Sequence, residues 1–183
     1  MLPARPSPGG YDRDCGPGDG CSFGTAWSDD TTAPDGHNGC DTRDDVLHEQ
    51  LVDVEISPGT GGCKVAAGTL VDPYTGGLVD FAQRHYDIDI DHVVPLAYAW
   101  DMGAASWPQQ RRERFANDTA RELLASWGPA NESKSDSGPA GWLPPDAAFR
   151  CDYVLRFLRV ATHYGLAVTA ADAQAARGVA HGC

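Results

Sequence analysis

The sequence has no long apolar run and few positive charges. A membrane-spanning helix needs roughly 20 consecutive apolar residues, and none is present, so we do not expect a membrane protein. The first ten residues also lack the apolar core of a signal peptide, so an exported form would be the mature chain. Fourteen lysines and arginines against 26 acids give a formal net charge of −12, which argues against tight, non-catalytic binding of nucleic acid.

Several motifs of known enzymes and metal sites are also missing. There is no Cys-x-x-Cys pair for zinc or thioredoxin-type chemistry, no Gly-x-Ser-x-Gly elbow and no His-Glu-x-x-His. Three acids at alternate positions, Asp87, Asp89 and Asp91, suggest a calcium loop of the EF-hand type. That loop would have His92 where glycine is required and Tyr98 where glutamate is required, which excludes it.

Six cysteines, an even number, predict a disulfide framework in an oxidising compartment. Several pairings are possible. Sequential pairing closes the shortest loops and anchors the C-terminus, which favours bridges 15–21, 40–63 and 151–183. The alternative is a cytosolic protein with reduced, buried cysteines.

The 183 residues suit one domain better than two. Residues 1–40 are rich in glycine, proline and aspartate, which predicts an irregular, disulfide-linked segment packed on a domain formed by residues 41–183. Apolar spacing, turn signals and capping residues predict an α+β fold. The predicted helices are Thr42–Leu51, Pro95–Trp100, Pro108–Asn117, a turn in Asn131–Asp136, Ala147–Tyr164 and Ala170–Val179, and the predicted strands are Lys64–Val71, Leu78–Phe81, Asp87–Val94 and Leu123–Ser126.

The adjacent pair Asp91-His92 carries the clearest chemical signal. A carboxylate can hold a hard divalent cation, and an imidazole can take a proton from water, so together they could generate a nucleophile beside a metal-bound phosphate. Adjacent residues on an ideal strand point to opposite faces. The strand must therefore end or bend at His92 for both to serve one site. Taken alone, such a dipeptide is more often a surface acid beside a core histidine.

The surrounding pattern strengthens that interpretation. The segment DHVVPLA, Asp91–Ala97, is followed about 40 residues later by NESKSD, Asn131–Asp136. This pattern resembles the HNH nuclease superfamily, and it is particularly similar to a group of secreted bacterial proteins that share DHVVPLA. The second half is also similar to the HNH domains of RNA-guided CRISPR nucleases. The same resemblance extends to Tyr11–Cys15, Gly36–Arg43, Gly68–Gly76, Phe115–Asp118 and Trp142–Pro145.

The resemblance implies a ββα-metal (His-Me finger) core, in which a two-stranded hairpin bears His92 and a following helix bears Asn131, with added helices around it. It implies that Asp91 and Asn131 are metal ligands and that His92 is the general base. Two protein oxygens leave coordination positions for water and phosphate, which suits Mg²⁺, with Mn²⁺ as the alternative. Lys134 is expected to contact a phosphate or to be a solvated loop residue.

One position departs from the family pattern. An asparagine is expected before the strand that pairs with the histidine strand, and Glu122 stands there instead. A glutamate carboxylate could orient His92 by accepting its Nδ1–H, or it could approach the metal as an added ligand. Asn117 is the alternative candidate for this role.

The function implied is a secreted, monomeric, metal-dependent endonuclease that hydrolyses DNA with little sequence preference, and RNA remains open as substrate. The alternative is a secreted binding or structural protein on a catalytically weakened HNH scaffold, with Glu122 as the sign of that loss. The basic cluster Arg111, Arg112 and Arg114 either lines a DNA track or is a solvated helix flank.

The disulfide assignment is directly testable. We expect the folded protein to have no free thiol and to yield peptides joined 15–21, 40–63 and 151–183 on non-reducing peptide mapping. A peptide joining Cys40 to Cys151 would contradict the assignment.

Overall fold

Five strands form two antiparallel sheets in the computed structural model, which describes residues 1–13 and 21–183. The first sheet has three strands in chain order, namely β1 (Val52–Ile56), β2 (Val65–Val71) and β3 (Leu78–Asp80). The second pairs β4 (Ile88–His92) with β5 (Leu123–Trp127). About thirty residues separate the two strands of this second sheet in the chain, so its pairing depends on the helices between them.

The helices follow the capping and proline signals of the sequence. The Asp41 carboxylate accepts a hydrogen bond from the Asp44 backbone at the first helix, Thr169 caps the last one in the same way, and a proline occupies the first turn of the fifth. Across the described ranges, no helix is long and apolar enough to span a bilayer. The helices are α1 (Thr42–Gln50), α2 (Phe81–Arg84), α3 (Leu96–Asp101), α4 (Gln109–Ala116), α5 (Gly128–Lys134), α6 (Arg150–Tyr164) and α7 (Ala170–Ala180).

The α+β class is confirmed, and each predicted helix and strand has a counterpart with shifted ends. Two differences have physical reasons. No strand was predicted at Val52–Ile56. This is an edge strand in which Val52 is 48% exposed, and it depends on backbone pairing with β2. The turn predicted in Asn131–Asp136 is part of α5, which begins earlier because Gly128-Pro129 opens the helix.

Two apolar clusters lie on either side of the second sheet. The smaller cluster joins α1 and the first sheet to Ile88 and Ile90 of β4. The larger one contains the buried faces of α3, α4, α6 and α7. Because side chains alternate along a strand, Asp89 and Asp91 are placed on the opposite face of β4 from the two isoleucines. This face lies against α5, which contacts both strands.

The described part of residues 1–40 contains no helix or extended strand and packs on the rest of the chain. Leu2 forms an isolated bridge with Thr169. Phe23 is buried in the larger cluster, where its ring centroid lies 5.8 Å from that of Phe115. The segment therefore contributes to the core from outside the two sheets.

Two of the three predicted disulfides are confirmed. Cys40–Cys63 joins the end of the N-terminal segment to the loop between β1 and β2, and Cys151–Cys183 joins the first turn of α6 to the last residue. The predicted bridge 15–21 lies outside the described residues because it includes Cys15. Both observed bridges join neighbouring cysteines in the sequence, with separations of 23 and 32 residues, and so restrict the unfolded chain.

A buried ion pair fixes α5 against β4. Lys134 is fully buried, and its ammonium lies 2.8 Å from Asp91 Oδ1. The same ammonium donates to the His92 carbonyl oxygen, also at 2.8 Å. The Tyr74 hydroxyl donates to the other Asp91 oxygen. Three separate parts of the chain thus meet at one carboxylate.

This pair predicts a large stability loss for Lys134→Met. Removing one partner of a buried ion pair leaves the other charge uncompensated, which costs about 3–5 kcal/mol. The matched control is Arg84→Met, since Arg84 forms an exposed pair with Asp87 that is worth about 0–1 kcal/mol. Chemical denaturation followed by circular dichroism compares the two. Equal losses of unfolding free energy would contradict a structural role for the buried pair.

Candidate active site

A polar cleft of about 400 Å³ lies beside β4 and α5. Asp89, Asp91 and His92 line it from the strand, Asn131 lines it from the helix, and Arg13 from the N-terminal segment reaches it as well. Glu132 and Asp136 add further acidic side chains to its wall. The cleft therefore brings together Asp91 and Asn131, the predicted metal ligands, and His92, the predicted general base.

Asp91 is nearly inaccessible to solvent, and the Lys134 ammonium and the Tyr74 hydroxyl both contact its carboxylate. Burial raises the pKa of Asp91, and the positive charge of Lys134 acts in the opposite direction. Each carboxylate oxygen has two lone-pair sites. One hydrogen bond at each oxygen therefore leaves Asp91 able to accept a further donor or a cation.

The His92 ring is held by contacts on two sides. Its Nε2 lies 2.9 Å from the Ala116 carbonyl oxygen, which can only accept, so Nε2 carries the proton and Nδ1 has the free lone pair. The Trp27 ring stacks on the imidazole with a centroid separation of 5.7 Å and an interplanar angle of 14°. Burial lowers the pKa of His92 to about 3, so the imidazole is neutral near pH 7.

The requirement that the strand end at His92 is met. β4 ends at this residue, and the backbone N–H of Val93 then donates to the Glu122 carbonyl oxygen at 3.0 Å. Asp91 and His92 consequently both line the cleft although they are adjacent in the chain.

Asn131 contacts Asp89, a residue that the sequence analysis used only in the rejected calcium loop. The Asn131 amide donates from Nδ2 to Asp89 Oδ2 at 3.0 Å, which directs the nitrogen of the amide toward the strand. The period-two pattern of β4 was the available signal, since it places Asp89 on the same face as Asp91. Asp89 therefore joins Asp91 and Asn131 as a third oxygen-bearing group of this wall.

Glu122 is fully buried and contacts the loop that follows His92. Its Oε1 accepts from the Val94 backbone N–H at 2.9 Å, and its Oε2 has no hydrogen-bond partner among the described residues. Burial raises the pKa of Glu122 well above its usual range. The expected acceptance of Nδ1–H by Glu122 is not formed, because the contact with the Ala116 carbonyl oxygen places the ring proton on Nε2 and leaves Nδ1 without a hydrogen to donate.

The alternative that Lys134 is a solvated loop residue was wrong, since the side chain is fully buried in the ion pair with Asp91. Its expected contact with a phosphate stays a prediction. Lys134 lies at the end of α5 and contacts Asp91 and His92 of β4. The local sequence did not indicate this tertiary contact. Asn117 is also buried, and its Nδ2 donates to the Glu113 carbonyl oxygen, so it does not substitute for Glu122 at Val94.

The basic cluster is mainly structural. Arg111 donates to the Tyr164 carbonyl oxygen at 2.7 Å and lies over the Trp107 ring. Arg112 donates to the carbonyl oxygens of Ser22 and Trp107. These contacts commit both guanidinium groups to packing α4, which opposes the alternative that they line a DNA track.

The donors of the cleft fit a hard divalent cation by their chemistry. Asp89, Asp91 and Asn131 offer only oxygen, which Mg²⁺ and Mn²⁺ prefer. Across residues 1–13 and 21–183, no group of three or more His, Cys, Asp or Glu side chains is arranged to enclose a metal. The wall is therefore suited to a cation that keeps much of its coordination for water or substrate oxygens.

Comparisons with known proteins agree with this picture at a coarser level. The family model of the C-terminal domain of GmrSD restriction endonucleases matches residues 41–177, about three quarters of the chain. A protein of Arthroderma benhamiae described as an uncharacterized secreted protein is 37% identical over 145 residues, which cover 79% of this chain and 68% of the relative. No solved structure matches.

The family match begins at the residue that caps α1 and includes all the cleft residues named above except Arg13. The chain therefore belongs to the family of the C-terminal domain of GmrSD restriction endonucleases.

Proposed function

We propose that this protein is a secreted, metal-dependent endonuclease built on a ββα-metal core of the HNH type. The observation that carries the proposal is the placement of His92, Asp91 and Asn131 in one cleft, beside the antiparallel pair β4 and β5 and the helix α5, which directly follows β5. The family match to a restriction endonuclease domain supports a nucleic-acid substrate.

His92 acts as the general base in this mechanism. Its neutral imidazole accepts a proton from water at Nδ1, while the Ala116 carbonyl oxygen holds the Nε2–H. That second contact keeps the ring in one tautomer and stabilises the imidazolium that forms. The low pKa of His92 keeps the imidazole unprotonated before the reaction, and it also makes this imidazole a weaker base than an ordinary one.

Asp91 and Asn131 would hold the divalent cation, Mg²⁺ or alternatively Mn²⁺, with their side-chain oxygens. When bound, the cation supplies positive charge to a phosphate group and stabilises the charge that develops on it. Asp89 orients the Asn131 amide through the hydrogen bond from Nδ2, which leaves Oδ1 as the oxygen for this purpose. Lys134 fixes the Asp91 carboxylate through the hydrogen bond to Oδ1.

The expected substrate is DNA, with RNA open, and with little sequence preference. Secretion is supported by the two disulfides, which persist in oxidising compartments, and by the description of the fungal relative. We propose that the enzyme acts as a monomer.

One observation favours the alternative, a secreted protein of this scaffold with little activity. Both Asp91 oxygens already accept hydrogen bonds, from Lys134 and Tyr74, and Glu122 stands where the HNH pattern expects asparagine. Incubation with plasmid DNA in Mg²⁺, Mn²⁺ or EDTA separates the two functions. We expect cleavage with Mg²⁺ or Mn²⁺ that EDTA abolishes, and the absence of cleavage with every ion would support the alternative.

The roles of base and ligand predict different defects. His92→Ala should remove most turnover and leave Mn²⁺ affinity nearly unchanged, because the imidazole is not a ligand. Asn131→Ala should weaken Mn²⁺ binding itself, as should Asp91→Asn. Calorimetric titration measures the Mn²⁺ affinity of each variant, and plasmid cleavage measures turnover. The control is Tyr86→Ala, since Tyr86 is exposed and does not line the cleft. Loss of Mn²⁺ binding in His92→Ala alone would reverse the assignment.

Glu122 is predicted to position the loop that follows the base. Glu122→Ala removes the acceptor for the Val94 N–H and should lower the single-turnover rate at saturating Mg²⁺ at least tenfold, about 1.4 kcal/mol of barrier. Glu122→Gln retains an acceptor oxygen and should recover much of the rate, and Glu122→Asn should exceed Glu122→Ala. A Glu122→Ala enzyme that cleaves at the wild-type rate would show that this hydrogen bond has no role in the reaction.

A further inference from the structure

A second cavity, of about 220 Å³, shares His92 in its wall with the cleft described above, which we call the acidic cleft. Its walls include Tyr11, Phe23 and Trp27 of the N-terminal segment together with His92 and Asn117, and we call it the aromatic pocket. It is smaller than the roughly 300–1,000 Å³ typical of sites for drug-sized molecules. Its size and aromatic walls suit a single planar ring system.

Asn117 supplies an unused acceptor in this pocket. The side chain is 1% exposed and its Nδ2 donates to the Glu113 carbonyl oxygen at 2.9 Å, but its Oδ1 has no hydrogen-bond partner among the described residues. A buried polar atom without a partner costs free energy, so such atoms often mark a place where a ligand completes the bonding. The ligand must present an N–H or O–H donor.

Trp27 is held in a backbone conformation that bulky residues rarely adopt. Its φ angle is +55°, in the left-handed region that normally favours glycine. The Trp27 carbonyl oxygen accepts from the Thr42 N–H at 3.2 Å, which ties this strained residue to the start of α1. Strain of this kind persists where the surrounding structure requires it, often at binding sites.

The aromatic pocket and the acidic cleft share residues. His92, Leu96 and Arg13 line both cavities, so a polymer with a phosphate in the cleft can place a neighbouring ring in the pocket. Arg13 contributes the positive charge at this junction, on a chain with a net charge of −12. The three aromatic walls and Arg13 belong to residues 1–40, outside the region matched by the family model.

We propose that the aromatic pocket is a nucleobase subsite that accepts an unpaired base adjacent to the phosphate bound in the cleft. This inference rests on the proposed function and narrows its substrate to single-stranded or locally opened nucleic acid. Every nucleobase has an N–H donor on its pairing edge, and in a duplex that edge is occupied by the complementary base. Asn117 Oδ1 would accept that donor, and the aromatic walls would hold the ring by stacking, which tolerates all bases.

The test measures binding without turnover. Fluorescence anisotropy in EDTA compares a labelled short single-stranded oligodeoxynucleotide, the same strand with one abasic residue moved along it, and the corresponding duplex. We expect the wild-type protein to bind the single strand about tenfold more tightly than the duplex, and one abasic position to weaken binding about tenfold, the effect expected from the loss of one stacked base. Equal affinity for single strand and duplex, with no sensitive abasic position, would overturn the proposal.

Variants locate the effect in the pocket. Trp27→Ala should bind the intact strand about tenfold more weakly and should no longer distinguish it from the abasic strand, whereas Trp27→Phe should retain the distinction. Tyr86→Ala is the matched control, because Tyr86 is an aromatic residue that is 89% exposed and does not line the aromatic pocket. An abasic effect that persists unchanged in a folded Trp27→Ala variant would place the base elsewhere.

The abasic scan with wild-type protein tests the subsite even if Trp27→Ala fails to fold. Plasmid cleavage distinguishes failure of the base subsite from failure of the proposed nuclease function. Metal-dependent cleavage of duplex DNA without any abasic or single-strand effect would overturn the subsite and leave the nuclease proposal intact. Neither cleavage nor binding of any of these strands would overturn both.

Discussion

The buried contact between Lys134 and Asp91 holds together the parts of the candidate site. The Lys134 ammonium lies 2.8 Å from both an Asp91 oxygen and the His92 carbonyl oxygen. One side chain of α5 therefore fixes the last two residues of β4. Two charges removed from water gain little net stability from each other. The main consequence of the pair is geometric, because separating β4 from α5 would leave a buried charge without its partner.

The position of His92, the proposed general base, depends on residues that are distant in the sequence. Ala116 at the end of α4 holds one ring nitrogen of His92, Trp27 covers the ring face, and Glu122 holds the loop that follows. Each contact comes from a different element. The acidic composition that opposes nucleic-acid binding is compatible with the proposed activity, since a bound cation and Arg13 would supply positive charge at the proposed phosphate position.

Much of the fold followed from local patterns in the sequence. Capping residues set the start of α1, the turn signal before Leu78 set the hairpin of β2 and β3, and short loop closure gave the two disulfides found in the described residues. The motif Asp91-His92 with Asn131 likewise identified three residues that share one cleft. Periodicity, capping and loop length act over few residues, which is why a single sequence records them.

Other features were decided only by tertiary structure. The sequence singled out Lys134 and Glu122 but did not indicate the contacts that they make. The burial of Lys134 and the contact of Glu122 with Val94 require α5, β5 and the loop after β4 to pack together. The proposed role of Asp89 in orienting Asn131 follows only from the structure, in which Asn131 Nδ2 lies 3.0 Å from Asp89 Oδ2. The sequence by itself determined which chemical groups were present and on which elements. Which of them are paired, buried or left with a free acceptor was decided by packing between residues far apart in the chain, because desolvation and hydrogen bonding depend on neighbours in space.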